Sequence, residues 1–152
     1  MSPTYRDGWT EIFGDRDDTI RSKSDEEDFN YVEPPVIDAT EIDWKTTRAL
    51  SLRQPYAELI MLGWKDVEYR GRATKVRGRI AIYASLSKEG LEEAEEFQLN
   101  PDQVPRGVII GTVELHDCDD GEWKLRDPTR FAKPIKPTAH PQPVWFYPFG
   151  RD

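Results

Sequence analysis

The sequence predicts an α+β fold, a small and partly open β-barrel of five to six short strands with two flanking helices and an acidic N-terminal extension. Apolar runs of strand length recur after residue 46, and the longest is a β-branched run at 107–115. Two segments, 55–63 and 88–98, place apolar residues on a single helical face. Frequent prolines after residue 127 exclude a long C-terminal helix. Short strands with two helices suit a barrel better than a parallel doubly wound sheet.

Charge divides the chain of 152 residues near residue 46. Residues 1–46 contain five Lys and Arg against thirteen Asp and Glu, whereas 47–152 contain sixteen of each. High charge with low hydrophobicity is typical of a flexible or surface-packed segment. We therefore expect an extension at 1–46 and one domain at 47–152. Trp9, Phe13 and Tyr31 are candidates to anchor the extension, where its carboxylates would contact the basic surface of the domain.

Cysteine usage and hydropathy indicate a cytoplasmic protein. Cys118 is the single cysteine, which excludes an intramolecular disulfide and fits a reducing compartment. The N-terminal residues resemble no targeting segment, and no stretch approaches the roughly 20 apolar residues of a membrane helix, so no membrane partner is expected. His116, His140 and Cys118 lack metal-ligand spacing, and we expect no metal or cofactor.

A strand, a helix and a second strand follow one another between Ala49 and Arg70. Pro55 suits the first helical position, and Gly63 suits the left-handed residue that ends a helix. Ser51 and Gln54 have the spacing of a capping box. A helix that begins there would present unpaired N–H groups beside them and favour an anion.

The second strand, at 66–70, has a period of two residues. Glu68 and Arg70 should therefore point the same way, about 7 Å apart along the chain, with Lys65 at the preceding turn. These side chains can bind a ligand, act in catalysis or form a structural ion-pair cluster, and the sequence leaves all three open. The candidate ligand-binding residues are Ser51, Arg53, Gln54, Lys65, Glu68 and Arg70.

A basic connection follows the second strand. Clustered positive charge of this kind can track a phosphate backbone, although a solvated loop remains the alternative. The candidate backbone contacts are Arg72, Lys75, Arg77 and Arg79. Trp64 and Tyr69 are the candidates for base stacking, and we expect Trp64 to be exposed, with Tyr56 and Tyr83 in the core.

The later helix contains four glutamates, which we expect to be mostly solvated. Leu91, Ala94 and Gln98 share its apolar stripe. We expect this helix to cover an opening or an edge of the barrel, and its pattern indicates no chemistry.

Four blocks of the sequence together resemble the ASCH domain of the PUA-like superfamily. They are residues 50–57 (LSLRQPYA), 63–70 (GWKDVEYR), 78–85 (GRIAIYAS) and 107–113 (GVIIGTV). The first two contain the patterns S-x-R-Q-P-[WY]-A and G-x-K-x-x-E-x-R, in the usual order and at the usual separation. The resemblance covers about two thirds of the chain, from Thr47 onward.

The resemblance implies a PUA-like β-barrel with a cleft between the barrel and the first helix. PUA-like relatives bind RNA or a flipped, modified base. One branch hydrolyses acetylated cytidine with a lysine and a threonine of the second block and a glutamate elsewhere. Lys65 stands at the lysine position, whereas Glu68 stands at the threonine position.

Three hypotheses follow for the function. The first is a module that binds RNA, single-stranded nucleic acid or a modified nucleoside in the cleft. The second is a metal-independent hydrolase acting on a modified nucleoside of the acetylcytidine type or on RNA, with Lys65 as base or nucleophile and Glu68 as its partner. The third is an adaptor that binds a basic protein through the acidic extension. Glu68 at the threonine position favours recognition over catalysis.

Overall fold

The computed structural model describes residues 33–151. The candidate anchors Trp9, Phe13 and Tyr31 lie outside the described residues, as does most of the predicted acidic extension. The contact of that extension with the basic surface therefore stays a prediction.

Within residues 33–151 the chain forms seven strands, one α-helix and two 3₁₀ helices. In chain order these are β1 (Val36–Ile37), a first 3₁₀ helix (Ala39–Glu41), β2 (Ala49–Leu52), α1 (Tyr56–Met61), β3 (Val67–Tyr69), β4 (Gly78–Ala84), a second 3₁₀ helix (Leu91–Phe97), β5 (Val108–Asp119), β6 (Glu122–Ile135) and β7 (Trp145–Phe146). The predicted helix at 55–63 is confirmed, and Gly63 follows it with φ 76°.

All seven strands join one mixed sheet in the order β1-β6-β5-β4-β2-β7, and β3 also pairs with β6. The β2–β4 and β1–β6 pairs are parallel, and the other pairs are antiparallel. The α+β class with few helices is confirmed, with one or two strands more than the predicted five to six. These pairings do not close the sheet into a ring, so barrel closure stays a prediction.

The β5–β6 hairpin is much longer than the sequence predicted. The sequence pattern at 117–121 predicts a turn and that at 122–126 a short strand, but in the structure the turn lies at Asp120 and β6 continues to Ile135. Pro128 lies where the β5–β6 register shifts between paired residues. An irregularity of that kind tolerates a residue without an N–H group, so the strand passes through the proline.

Part of the segment that was assigned to the extension packs on the sheet. β1 pairs with β6 at Arg130 and Phe131. The ring of Trp44 makes edge contacts with Phe131 at 5.9 Å and with Phe149 at 5.1 Å between ring centroids. One partner of each of these contacts precedes residue 47, so residues before the predicted boundary pack on the sheet. The domain boundary itself stays a prediction.

Apolar packing fixes the elements that later form the site. In α1, Ala57, Ile60 and Met61 pack on the main hydrophobic cluster of the sheet. The second 3₁₀ helix buries Phe97 against Leu59 on another part of α1. The helix is thus held between the sheet and the 3₁₀ segment, and its first turn faces the space between them. No helix among residues 33–151 is long and apolar enough to cross a membrane.

Candidate functional site

A pocket of about 630 Å³ opens beside the C-terminal end of β2, the start of α1, β3 and the second 3₁₀ helix. Its volume falls within the range of about 300–1,000 Å³ that small-molecule sites occupy. Most of its lining residues are polar or charged. They are Ser51, Leu52, Arg53, Tyr56, Lys65, Glu68, Tyr69, Arg70, Ser87, Glu89 and Glu93.

On the β3 side the pocket is lined by three charged side chains in contact with one another. Glu68 accepts a hydrogen bond from Arg70 Nε at 2.7 Å, and its other oxygen lies 3.4 Å from Lys65 Nζ. Lys65 also donates to the carbonyl of Val67 at 2.5 Å, and Arg70 donates to the carbonyl of Ser51 at 3.0 Å. Lys65 and Glu68 are each 8% exposed. Because buried charges are costly unless paired, Glu68 holds both cations in place.

The backbone of β3 explains how this group forms. Glu68 and Arg70 point the same way, as the period of two residues predicted. β3 pairs with β6, and Arg70 N donates to the carbonyl of Gly121 at 2.9 Å. A Cβ on Gly121 would lie 2.3 Å from the Arg70 carbonyl oxygen, so only glycine permits this approach.

The opposite wall contains carboxylates that the sequence analysis did not assign to a site. Tyr56 donates a short hydrogen bond from its hydroxyl group to Glu93 Oε1. Arg53 lies 3.7 Å from Glu89 Oε2, and its guanidinium lies 5.5 Å from the centroid of the Tyr56 ring. Glu93 is half-buried, so the expectation of a mostly solvated Glu93 is wrong.

A 3₁₀ period explains why the buried face of this helix differs from the predicted stripe. The helix at 91–97 has three residues per turn, so Leu91, Ala94 and Phe97 fall on one face, and Ala94 and Phe97 are fully buried. The predicted stripe used a 3.6-residue period and placed Gln98 on that face, but Gln98 is exposed.

Gln54 lies next to the start of α1, as predicted, but its side chain contacts the protein backbone and not the pocket. It is fully buried, and its amide donates to the carbonyl of Pro105 at 2.7 Å while accepting from Glu58 N at 2.9 Å. Gln54 does not line the pocket. The predicted capping box is wrong, since the Ser51 hydroxyl instead donates to the carbonyl of Gln142 at 2.6 Å.

The aromatic candidates have different environments. Tyr69 is half-buried and lines the pocket, with its ring centroid 5.7 Å from Lys65 Nζ. Trp64 is only 4% exposed and packs beside Phe97, so the expectation of an exposed Trp64 is wrong. Tyr83 is buried as expected, and that burial raises the pKa of its phenol.

The basic connection lies outside the pocket. Arg72, Lys75 and Arg77 are exposed on the irregular segment before β4, whereas Arg79 lies within β4. Arg77 donates to carbonyls of its own segment, and Arg79 donates to the carbonyl of Asp127. None of the four side chains lines the pocket, so the structure separates this basic surface from the pocket charges.

The pocket combines equal numbers of positive and negative side chains. The cations are Arg53, Lys65 and Arg70, and the carboxylates are Glu68, Glu89 and Glu93. Carboxylates accept hydrogen bonds, whereas guanidinium and ammonium groups donate them. The pocket can therefore offer donors and acceptors to one ligand. Residues 33–151 contain no group of three or more His, Cys, Asp or Glu side chains that could hold a metal ion.

Comparison with known proteins identifies the family to which this chain belongs. The family model of the ASCH domain matches residues 50–134, which is more than half of the chain. The chain therefore belongs to the ASCH domain family, as its four blocks predicted. Activating signal cointegrator 1 from Homo sapiens is 36% identical over 80 residues, which cover 45% of this chain and 14% of that protein. The protein of the same name from Mus musculus is 35% identical over 80 residues. The chain thus spans 14% of the length of these curated relatives.

Proposed function

We propose that this chain is a nucleic-acid-binding ASCH protein that recognises a single base of RNA, or a modified base or nucleoside, in the pocket beside Lys65. Family membership supports a general role in nucleic-acid binding. The finer prediction, a cleft between a closed barrel and the first helix, is part of this proposal.

One observation carries the proposal: donors and acceptors line one pocket of about 630 Å³. The edge of a base presents both donors and acceptors, and a protein reads an unpaired base through such hydrogen bonds and through stacking. Lys65 and Arg70 would donate, Glu93 would accept, and Tyr69 would supply an aromatic surface. Ser51 and Arg53 line the same space.

Charge balance supports a base rather than a phosphate in this pocket. Each cation that lines it lies within 4 Å of a carboxylate, as the Arg53–Glu89, Lys65–Glu68 and Arg70–Glu68 distances show. A phosphate group would meet the repulsion of those carboxylates, whereas a neutral base would not. In this proposal the backbone stays outside, where the exposed Arg72, Lys75, Arg77 and Arg79 supply positive charge.

Glu93 provides the test. Glu93→Gln should weaken binding of the full-length protein to a single-stranded oligonucleotide by about tenfold or more, because a hydrogen bond to a charged group contributes roughly 1.5–3 kcal/mol. Fluorescence anisotropy at fixed salt measures the change. Glu92→Gln is the matched control, since Glu92 is exposed and does not line the pocket. Equal affinities of the two variants would contradict the proposal.

The same pocket supports a hydrolase as the second candidate. Lys65 is buried beside Glu68, and Glu93 lines the same space. Burial disfavours the charged form of a lysine and so favours its action as base or nucleophile, and in this candidate Glu68 would be its partner. In that case Lys65→Ala would abolish turnover of an acetylated nucleoside while binding persists. Intact acetylated nucleosides and RNA after incubation across pH 5–9 would exclude both activities.

A further inference from the structure

Two arginines lie over the ring of one tyrosine beside the last strand. The Arg48 guanidinium carbon lies 5.5 Å from the centroid of the Tyr147 ring, and that of Arg151 lies 4.6 Å from it. Arg48 also lies 5.9 Å from the centroid of Trp145. These distances fall within the roughly 6 Å over which an aromatic ring attracts a cation. The rings therefore hold both guanidinium groups in place.

The backbone brings the two arginines together from distant parts of the sequence. Arg48 directly precedes β2, and its carbonyl accepts a hydrogen bond from Ala81 N at 2.9 Å. Tyr147 directly follows β7, which pairs with β2. Gly150 has φ 80°, and its N–H donates to the carbonyl of Tyr147 at 3.1 Å. This turn returns Arg151 over the Tyr147 ring.

Arg48 and Arg151 differ from several other arginines in having no carboxylate partner among the described residues. Arg53, Arg70 and Arg130 each have a carboxylate oxygen within 4 Å. Within residues 33–151 neither Arg48 nor Arg151 has one. A guanidinium presents its N–H groups as a planar fork that fits the oxygens of a phosphate. The pair therefore has the charge and the hydrogen-bond donors that an anion would need.

A tryptophan stack connects this pair with the pocket. Arg70, which lines the pocket, lies 5.6 Å from the centroid of Trp123. Trp123 stacks on Trp145 with 5.7 Å between centroids and 4° between planes. Along β2, Arg48 precedes the pocket residue Ser51 by three positions, about 10 Å.

We propose that Arg48 and Arg151 form a phosphate-binding clamp, and that its ligand is the backbone of the single strand whose base enters the pocket. The choice of the strand as the source of phosphate rests on the proposed function. The clamp itself requires only phosphate groups, which an inorganic polyphosphate also provides.

The test measures the affinity of the full-length protein for a single-stranded oligonucleotide at several salt concentrations. For a single strand, each phosphate contact contributes about −0.7 to the slope of log K against log salt concentration. Arg48→Gln with Arg151→Gln should therefore reduce the slope by about 1.4, and Arg151→Gln alone by about 0.7. Lys133→Gln with Lys136→Gln is the control of equal charge change, because both lysines are exposed and lie on or next to β6. It should leave the slope unchanged.

A second arm uses inorganic tripolyphosphate and follows its binding by NMR of the arginine side chains. Wild type should bind it through Arg48 and Arg151, and the double arginine variant should not. Binding of tripolyphosphate without binding of any oligonucleotide would support the clamp while contradicting the proposed function. The clamp is overturned if the arginine variant, with an unchanged melting temperature, matches wild type in both arms. It is equally overturned if the lysine control loses as much slope.

Discussion

At the scale of single residues, Glu68 has the strongest structural role in the pocket. It accepts from Arg70 and lies beside Lys65, and both it and Lys65 are buried. The ligand-binding and structural interpretations of this trio are compatible, because the ion pairs that hold the cations also fix the donors that a ligand would meet.

Removal of the Glu68 charge should destabilise the fold. Glu68→Gln leaves Lys65 and Arg70 without their shared carboxylate, and the loss of one partner of a buried ion pair costs about 3 kcal/mol. Urea unfolding measures the free energy of unfolding. Glu96→Gln, at an exposed position of the second 3₁₀ helix, should change it by less than about 0.5 kcal/mol. A loss below about 1 kcal/mol for Glu68→Gln would show that the pair is not coupled to folding.

The sequence predicts the positions of residues that depend on local structure, but not of those that depend on contacts with distant segments. The orientation of Glu68 and Arg70 follows from the strand period, so the sequence predicted it. The burial of Gln54 depends on the Pro105 carbonyl, 51 positions away. Trp64 is buried by Phe97 of the second 3₁₀ helix. No local pattern contains either partner.

At the scale of elements, strand and helix positions were largely predictable, but their lengths were not. The helix at 55–63 and the strands beside it follow from proline, glycine and periodicity. The extent of β6 depends on its register with β5, where a shift accommodates Pro128. The buried face of the second 3₁₀ helix differs from the predicted one because that helix has a 3₁₀ rather than an α period, and of its four glutamates only Glu93 lines the pocket.

The close approach of the β5–β6 turn to β3 should be disrupted when a single methyl group is added at Gly121. Gly121→Ala would place a Cβ 2.3 Å from the Arg70 carbonyl oxygen. The backbone must then move, which typically costs about 1–3 kcal/mol, and Arg70 moves with it. We expect a lower melting temperature together with weaker oligonucleotide binding.

Gly71→Ala is the control, because no heavy atom lies within 4 Å of a Cβ built there. It should leave both melting temperature and binding near wild type. Equal effects of the two substitutions would show that the contact with Arg70 is not the cause.

At the scale of the whole molecule, the net negative charge of the chain lies in its first 46 residues. Residues 47–152 carry no net formal charge, so the formal charge of −8 comes from residues 1–46. Nucleic acid is a polyanion, and the acidic segment should reduce its affinity for the protein through repulsion or by competition for the basic surface. The order of the seven strands could not be predicted, because it depends on pairings between distant segments.

Neutralisation of one acidic run tests this effect. Conversion of Asp25, Glu26, Glu27 and Asp28 to their amides should strengthen oligonucleotide binding at low salt, and the gain should disappear at high salt because of screening. Anisotropy at two salt concentrations measures it. An affinity that is the same as wild type at low salt would contradict the electrostatic role of the extension.

Recognition of a base, rather than of the backbone alone, is the central claim. The most direct measurement compares the affinity of the full-length protein for a short single-stranded oligonucleotide and for a strand of equal length without bases. The two strands carry the same phosphates, so their backbone contacts are matched. We expect wild type to bind the strand with bases at least tenfold more tightly, and Glu93→Gln to remove most of that difference. Equal binding of both strands by wild type would contradict the account.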